Sequence, residues 1–238
     1  MSGEGARADR AARVAVAVPA AGVGARMGGV RKAFLLIAGR SVLEHALRPF
    51  LDDERVVAVA VALAPDDASS PPTWLTSLDP RITLVPGGET RAQSVRAAIA
   101  ALPEVDVIAV HDAVRPLVTP EIVARCVDLA LEGFGAVAGC PAVDTMKVVD
   151  PSGLVVATPD RSTLWHAHTP QVFPAAVLRA AYAGADGEGT DDAALVERHD
   201  PSVRVRMIDD GSVNLKVTRP ADVPVAEALL TGRGSSAP

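Results

Sequence analysis

The chain has 238 residues, enough for one large α/β domain or two small ones with a sizeable core. Hydrophobic residues make up 49% of it and aromatic ones only 3%, so Ala, Val and Leu must fill that core. A net charge of −6 argues against nucleic acid as a partner, and no apolar run is long enough to span a membrane.

The first predicted element is a buried parallel strand that begins at Val14 and is rich in valine. It leads into a loop of small residues, 20–24, which Arg26 and Lys32 follow. Such a loop lets backbone N–H groups face an anion, and the two cations would add charge. The glycine spacing matches neither the dinucleotide fingerprint nor the GxxxxGK[ST] phosphate loop, so a plain tight turn remains the alternative.

Strands and helices then alternate along the chain. Ser41 and Thr90 are expected to cap helices, Thr90 with Gln93 at the third helical position. The expected elements are, in order, an apolar segment 33–38, a helix from 42, a strand 55–63, a loop 64–72, a short helix 74–78, a strand 81–85, a helix 92–102, a strand 105–110, a helix from 120 and a strand 135–141.

This alternation predicts βαβ units and a mostly parallel sheet with helices on its faces. Ligands of such sheets bind beyond the carboxyl ends of the strands. Residues 20–24, 87–91 and 111–116 each follow a predicted strand. We therefore expect these three loops to converge on one site.

The pattern changes after Asp144. Two alternating segments, 145–149 and 154–158, are joined by strong turn residues and predict a β-hairpin. An isolated two-stranded hairpin is only marginally stable, so we expect it to pack against another part of the protein, such as a second subunit. We expect helices at 174–183, 190–199 and 221–230 and strands at 203–208 and 214–217, within a single domain spanning 13–231, between a disordered extension 1–12 and a flexible tail 232–238.

Asp112 is the first candidate for chemistry, because it follows an apolar strand and precedes Arg115 at short range. A carboxylate there suits Mg²⁺ on phosphates, since hard cations prefer oxygen ligands; the alternative is an aspartate that stabilises a turn. Arg115 either binds phosphate or pairs with Asp112 to order the loop. We interpret His111 as a strand-end packing residue rather than a base.

Other reactive side chains give weaker signals. His166 and His168 would share one face of an extended segment, but no third ligand stands near them in the sequence, which disfavours a metal site. Cys126 and Cys140 are expected to be reduced and buried in a cytoplasmic protein. Thr190 either caps the next helix or touches a ligand, and the acidic residues 191 and 192 suit the N-terminal dipole of that helix.

Seven short motifs occur in order: PAAGVGARM, GGETRAQSV, VHDAVRP, VDTMK, RSTLWHAHTPQVF, TDDAALVE and NLKVTRPAD. Any one of them could arise by chance, but the ordered set is specific. Through these motifs, over about residues 14–230, the chain resembles the 2-C-methyl-D-erythritol 4-phosphate cytidylyltransferase family of isoprenoid precursor synthesis.

The resemblance implies transfer of CMP from CTP to methylerythritol phosphate, with Mg²⁺ and release of pyrophosphate. The acceptor phosphate would attack the α-phosphorus directly, without a covalent enzyme intermediate. It also implies a Rossmann-like, mostly parallel sheet with a protruding hairpin arm, about residues 141–164, through which two subunits form a homodimer.

Matching motif positions carry the family's roles to particular residues. The catalytic cations would be Arg26, Lys32 and Lys216. Contacts to CTP would come from Ala20, Ala21, Gly22, Gly24, Gly88, Glu89, Ser94, Asp112 and Ala113, with Asp112 also binding the metal. The methylerythritol phosphate would contact Thr145, Arg161, Thr169, Thr190 and Arg115, the first two of them across the dimer.

Three positions depart from the family pattern. The loop before Lys32 is one residue shorter than usual and carries Arg31 where proline is common, so Lys32 is displaced or Arg31 supplements it. HDAARP is HDAVRP here, and His168 replaces a glutamine. Two alternatives stay open: CMP transfer to another polyol phosphate such as ribitol 5-phosphate, and a catalytically silent nucleotide-binding dimer, which the retained cations disfavour.

Overall fold

The structure, a computed structural model, describes residues 10–22, 31–184 and 189–234. Its strands are β1 (Val14–Ala20), β2 (Leu36–Ile37), β3 (Arg40–Ser41), β4 (Val56–Leu63), β5 (Ile82–Pro86), β6 (Val107–Val110), β7 (Gly135–Pro141), β8 (Val148–Val149), β9 (Val155–Ala157), β10 (Trp165–Pro174) and β11 (Val205–Asp209). Its α-helices are α1 (Val42–Leu51), α2 (Pro65–Ser69), α3 (Thr73–Thr76), α4 (Arg91–Ala101), α5 (Pro120–Leu131), α6 (Ala175–Gly184), α7 (Asp192–His199) and α8 (Asp222–Gly234), and 3₁₀ turns cover Lys32–Phe34 and Arg161–Thr163.

Seven strands form one central sheet in the order β11-β7-β10-β6-β1-β4-β5. Neighbours pair in parallel, except that β10 runs antiparallel to both β6 and β7. The predicted mostly parallel α/β sheet is confirmed. The C-terminal ends of the six strands other than β10 lie at one edge, which is where the candidate site forms.

Strand β1 shows how the sheet buries both faces. Val14, Val16 and Val18 belong to one hydrophobic core together with residues of α1 and α5. Ala15 and Ala17 belong to a second core with residues of α4, α6 and α7. Because successive strand residues point to opposite faces, one alternating run supplies both cores. The small alanines let the second layer of helices approach the sheet closely.

Two sequence predictions were wrong, and one strand was not predicted. The segment 214–217 is a loop, with Val217 N–H bonded to the Val114 carbonyl rather than to a strand. Helix α2 lies within the segment predicted as a loop. The central strand β10 was not predicted because its polar residues break the apolar pattern; Gln171, for example, is buried and bonds to His168 O, Asp191 and Ala193 N.

Strands β8 and β9 pair antiparallel and form the predicted hairpin. Its turn is closed by a hydrogen bond from Asp150 N to Leu154 O, and Gly153 adopts a φ of +87° that favours glycine. The segment that carries the hairpin leaves and rejoins the domain of the central sheet where Ala142 N donates to Leu164 O at 2.9 Å. We call residues 141–164 the arm. Large apolar side chains are exposed along it: Val143, Met146, Val148, Val149, Leu154, Val155 and Val156.

The ends of the chain are described only in part. Of the predicted N-terminal extension, residues 1–9 lie outside the described residues, and Arg10 pairs with Asp106 at 2.6 Å. Helix α8 continues to Gly234, into the predicted tail, and residues 235–238 lie outside the described residues. Among the described helices, none combines the length and the apolar character needed to cross a bilayer.

Candidate active site

The C-terminal ends of β1, β4, β5 and β6 open into a cavity of about 630 Å³. Residues 19–22 at the end of β1, 87–91 after β5 and 112–114 after β6 all line it. The predicted convergence of these three loops is confirmed. Lys32 and Lys216 reach the same cavity from two further segments.

Helix α4 begins at this cavity and is capped as predicted. Thr90 Oγ1 accepts a hydrogen bond from Gln93 N at 3.1 Å. Gln93 Oε1 in turn accepts from the N–H groups of Glu89 and Thr90, at 2.8 and 3.2 Å. This reciprocal capping box fixes the backbone of the turn that faces the cavity.

The two glycines of that turn are needed for close packing. A Cβ atom on Gly87 would lie 2.6 Å from the Cβ of Ala21 in the β1 loop, closer than any real contact. Ser94 Oγ accepts from Gly88 N at 3.2 Å, so α4 holds the turn in place. The lack of side chains therefore lets the β5 turn and the β1 loop form one wall of the cavity.

Asp112 is the electrostatic centre of the site. Its Oδ1 accepts a hydrogen bond from Arg91 Nε at 2.9 Å and its Oδ2 accepts from Lys216 Nζ at 2.7 Å. Burial raises the pKa of this carboxyl group, but Arg91 and Lys216 outweigh burial and hold the pKa well below its usual range. Asp112 is therefore ionised and held between two cations.

Arg91 also binds the fully buried carboxylate of Asp192 through two hydrogen bonds, at 2.7 and 3.1 Å. The hydroxyl of Tyr182 donates to the same carboxylate. Burial lowers the pKa of Arg91, but the carboxylates of Asp192 and Asp112 outweigh burial and raise it. The sequence reasoning missed this chain of charges, and it explained Asp192 by the helix dipole alone.

His111 lies behind Asp112 and is completely buried against Phe50, with ring centroids 5.1 Å apart. Its Nε2 lies 3.1 Å from Arg115 O, and because a carbonyl can only accept, Nε2 carries the proton. Nδ1 then accepts from Thr169 Oγ1, also at 3.1 Å. Burial lowers the pKa of His111 to about 4. Its interpretation as a packing residue is confirmed.

Arg115 orders the loops instead of facing the cavity. It is buried, its Nη1 donates to Asn214 O at 2.6 Å, and its Nε lies 3.9 Å from Asp112 Oδ2. Asn214 Nδ2 donates to Thr169 O at 2.7 Å, and Asp112 N donates to Thr169 Oγ1 at 3.0 Å. These bonds join the segments after β6 and β11 to β10. The loop-ordering alternative for Arg115 fits these contacts.

The predicted site residues divide into three groups. The cavity is lined by eight of the predicted CTP contacts, Ala20, Ala21, Gly22, Gly88, Glu89, Ser94, Asp112 and Ala113, and by two of the predicted catalytic cations, Lys32 and Lys216. The predicted acceptor residues Thr145, Arg161, Thr169, Thr190 and Arg115 are not part of this lining. Gly24 and Arg26 lie outside the described residues.

The contacts bear on two finer alternatives. Arg31 pairs with Asp67 of α2 at 2.9 Å and does not line the cavity, whereas Lys32 does. The N-cap of α7 is Asp191, whose carboxylate accepts from Ala194 N at 2.9 Å. Thr190 is exposed and is not the cap.

Comparison with known proteins identifies the family of this chain. A sequence model of the family described as 2-C-methyl-D-erythritol 4-phosphate cytidylyltransferase matches residues 14–232. Relatives with that name include one from Rhodococcus jostii, 42% identical over 94% of this chain and 97% of the relative. Another, from Symbiobacterium thermophilum, is 44% identical over 91% of this chain and 92% of the relative.

Solved structures give the same result. The 2-C-methyl-D-erythritol 4-phosphate cytidylyltransferase of Thermus thermophilus is 32% identical with a TM-score of 0.74, over 91% of this chain and 98% of that chain. The 4-diphosphocytidyl-2C-methyl-D-erythritol synthase of Anaerococcus prevotii is 26% identical with a TM-score of 0.82, over 93% and 97%. The chain therefore belongs to the 2-C-methyl-D-erythritol 4-phosphate cytidylyltransferase family.

Proposed function

We propose that this chain transfers CMP from CTP to 2-C-methyl-D-erythritol 4-phosphate and releases pyrophosphate. The observation that carries the proposal is the cavity at the strand ends. There a wall of small residues, Lys32, Lys216 and the Arg91–Asp112 pair face one space large enough for a nucleotide.

CTP would bind along this wall. The backbone of residues 20–22 and the charge of Lys32 suit the triphosphate, because small side chains expose N–H groups to anions. Gly88, Glu89 and Ser94 would surround the cytosine, and Asp112 and Ala113 the ribose. Arg26, which the family resemblance adds to the triphosphate site, lies outside the described residues.

The chemistry needs no protein base. An oxygen of the acceptor phosphate attacks the α-phosphorus, a new P–O bond forms, and the bond from that phosphorus to the bridging oxygen breaks as pyrophosphate leaves. An ionised phosphate carries no proton on the attacking oxygen, so catalysis rests on alignment and charge stabilisation. The neutral, buried His111 fits this scheme.

Lys216 would stabilise the charge that develops at the α-phosphate. In the structure its Nζ atom lies 2.7 Å from Asp112 Oδ2. The Lys216 side chain is 41% exposed, so it can reorient toward a phosphate. Asp112 would remain paired with Arg91 at 2.9 Å when Lys216 moves. Arg91 would then keep its ion pair with Asp112 while Lys216 meets the substrate.

Asp112 also suits a divalent cation. It offers one ionised carboxylate at the cavity, and Mg²⁺ is usually held by one or two carboxylates together with water and substrate phosphates. Such an ion would neutralise triphosphate charge. Since CTP is an intracellular nucleotide, we expect the enzyme to act in the cytoplasm.

The acceptor site would be completed by a second subunit through the arm. Thr145 and Arg161 lie on the arm, are exposed, and do not line the cavity of their own chain. Arg161 Nη1 donates to Val143 O at 2.6 Å, which holds the guanidinium at the root of the arm. A homodimer would bury the exposed valines of the arm and bring these side chains to the partner's site.

The test is pyrophosphate release from CTP and Mg²⁺ with methylerythritol 4-phosphate or ribitol 5-phosphate as acceptor. We expect turnover with the first acceptor only. Turnover with ribitol 5-phosphate would keep the CTP site but reassign the acceptor. Absence of turnover with both acceptors, in protein that still binds CTP, would overturn the proposed activity.

A further inference from the structure

A cluster of three potential metal ligands lies at the ends of three neighbouring strands. Cys140 stands near the end of β7, His168 lies within β10, and Asp210 directly follows β11. One ligand atom from each residue lies within 4.8 Å of the other two. None of the three residues has a role in the proposed transfer of CMP.

The carboxylate of Asp210 is buried, and the side chain of Asn214 and the backbone N–H of Ser212 lie close to it. The Asp210 side chain is only 1% exposed, and Oδ2 accepts a hydrogen bond from His168 Nδ1 at 2.8 Å. Oδ1 is buried and has no hydrogen-bond partner among the described residues. Burying such an acceptor costs free energy, and native proteins usually pair it with a donor or an ion.

We propose that Cys140, His168 and Asp210 form a binding site for a divalent ion of the zinc class. Thiolate sulfur, imidazole nitrogen and carboxylate oxygen are the ligands that zinc prefers, and three protein ligands leave the fourth position to water. Ligand atoms around a tetrahedral zinc ion lie about 3.3–3.6 Å apart, so small side-chain movements complete the site. Magnesium, which prefers oxygen ligands, is not expected there.

The charge balance of the site is favourable. Binding displaces the proton of the Cys140 thiol, and the proton that His168 Nδ1 donates to Asp210 moves to Nε2, so the imidazole stays neutral. The thiolate and the carboxylate then cancel the charge of the ion, so the loaded site is neutral. A neutral site adds no net positive charge beside the buried guanidinium of Arg115, which lies within electrostatic reach of both Asp210 and Cys140.

The ion would act as a structural clamp. It would tie β7, β10 and β11 together next to Ala142 and Leu164, the residues that close the root of the arm. The segment from Asp210 to Lys216 leaves the same point and includes Asn214, which is bonded to Thr169. Metal binding is therefore expected to stabilise both the arm root and the loop that delivers Lys216.

Cobalt(II) is the probe, because it substitutes for zinc and gives a thiolate-to-metal absorption band when sulfur is a ligand. Full-length protein, freed of metal with a chelator, is titrated with Co²⁺ and then with Zn²⁺. We expect the thiolate band and the visible bands of a tetrahedral ion, both displaced by Zn²⁺. No nucleotide is present, so the result does not depend on the proposed activity.

Three variants make the test specific. Cys140→Ser should abolish the thiolate band, whereas Cys126→Ser should keep it; Cys126 is buried and near Asp210 but is not part of the cluster. His168→Gln can still hydrogen-bond to Asp210 and should weaken Co²⁺ binding at least about tenfold. Zn²⁺ should raise the melting temperature of the unmodified chain but not that of Cys140→Ser. A missing thiolate band, or an equal band in Cys140→Ser, would overturn the proposal.

Discussion

The cavity and the arm are built in opposite ways. Around the cavity, buried carboxylates are paired with cations of the same chain: Asp112 with Arg91 and Lys216, and Asp192 with Arg91. The arm exposes apolar side chains, and its β8–β9 hairpin is a two-stranded sheet separate from the central one. Isolated hairpins of this size are marginal in water.

The difference indicates which half of the reaction one chain can support alone. The nucleotide side of the site is pre-organised by contacts that the described residues make among themselves. In the proposed homodimer, the acceptor side would depend on arm residues that are positioned when a second subunit covers the arm. Four predictions test this contrast.

The largest effect is expected from Arg91→Met. The change leaves the buried carboxylate of Asp192 without its cation, and an unpaired buried charge costs about 3–5 kcal/mol. Urea unfolding should show this loss, and the exposed control Arg125→Met should not. Adding Asp192→Asn to Arg91→Met should recover part of the stability. A wild-type unfolding midpoint for Arg91→Met would contradict the role of this ion pair.

Lys216→Met is expected to lower kcat about 10²–10³-fold, the usual cost of removing one charge-stabilising donor. The fold should survive, because Asp112 keeps its bond to Arg91. Pyrophosphate release under saturating CTP measures the change, and the melting temperature serves as the control for folding. An unchanged kcat would remove Lys216 from the proposed mechanism.

Acid should destabilise the body of the protein through His111. Its pKa is about 6.5 when unfolded and about 4 when folded, so between these values the unfolded state binds more protons. The contribution is complete above pH 6.5 and is lost as the pH falls toward 4, on the order of 3 kcal/mol in all. Unfolding at several pH values should show this slope, reduced in His111→Gln and retained in His199→Gln, whose ring is exposed.

The smallest effect concerns the arm. Val155→Asp puts a charge on an exposed apolar strand and should weaken subunit association about tenfold or more, which is about 1.4 kcal/mol. Sedimentation at several concentrations measures the change, and Val225→Asp, at a similarly exposed valine on α8, is the control. CTP binding should be preserved. Equal association in both variants would separate the arm from dimerisation.

Much of the fold could be predicted, because strands such as β4 and β7 are continuous apolar runs between turn residues. Strand β10 was not predicted because its buried polar residues form hydrogen bonds with partners distant in the sequence. Thr169 Oγ1, for example, accepts a hydrogen bond from Asp112 N. The segment 214–217 has the alternation of a strand. Its pattern reflects a loop that buries Asn214 and Val217 and turns Lys216 toward the cavity.

The position of the site followed from the rule that ligands bind at strand ends, but its ion pairs did not. Arg91 and Asp192 are 101 residues apart, and no local sequence pattern indicates that they form an ion pair. One signal was present: a cation at the first position of α4 opposes the helix dipole and so calls for an anionic partner. The Cys140, His168 and Asp210 cluster is likewise visible only once the strands are in order.

The place of β10 in the sheet has a consequence for synthesis of the chain. Strands β1, β4, β5 and β6 are made first and can assemble as they leave the ribosome, since they are mutual neighbours. The outer edge of β6 then stays open until β7, the arm and β10 have been made, and β10 must insert between strands already present. Late insertion of a central strand is slow and leaves a pairing edge exposed. A nascent chain stalled before residue 165 would therefore expose the unpaired edge of β6, with which strands of other chains could pair.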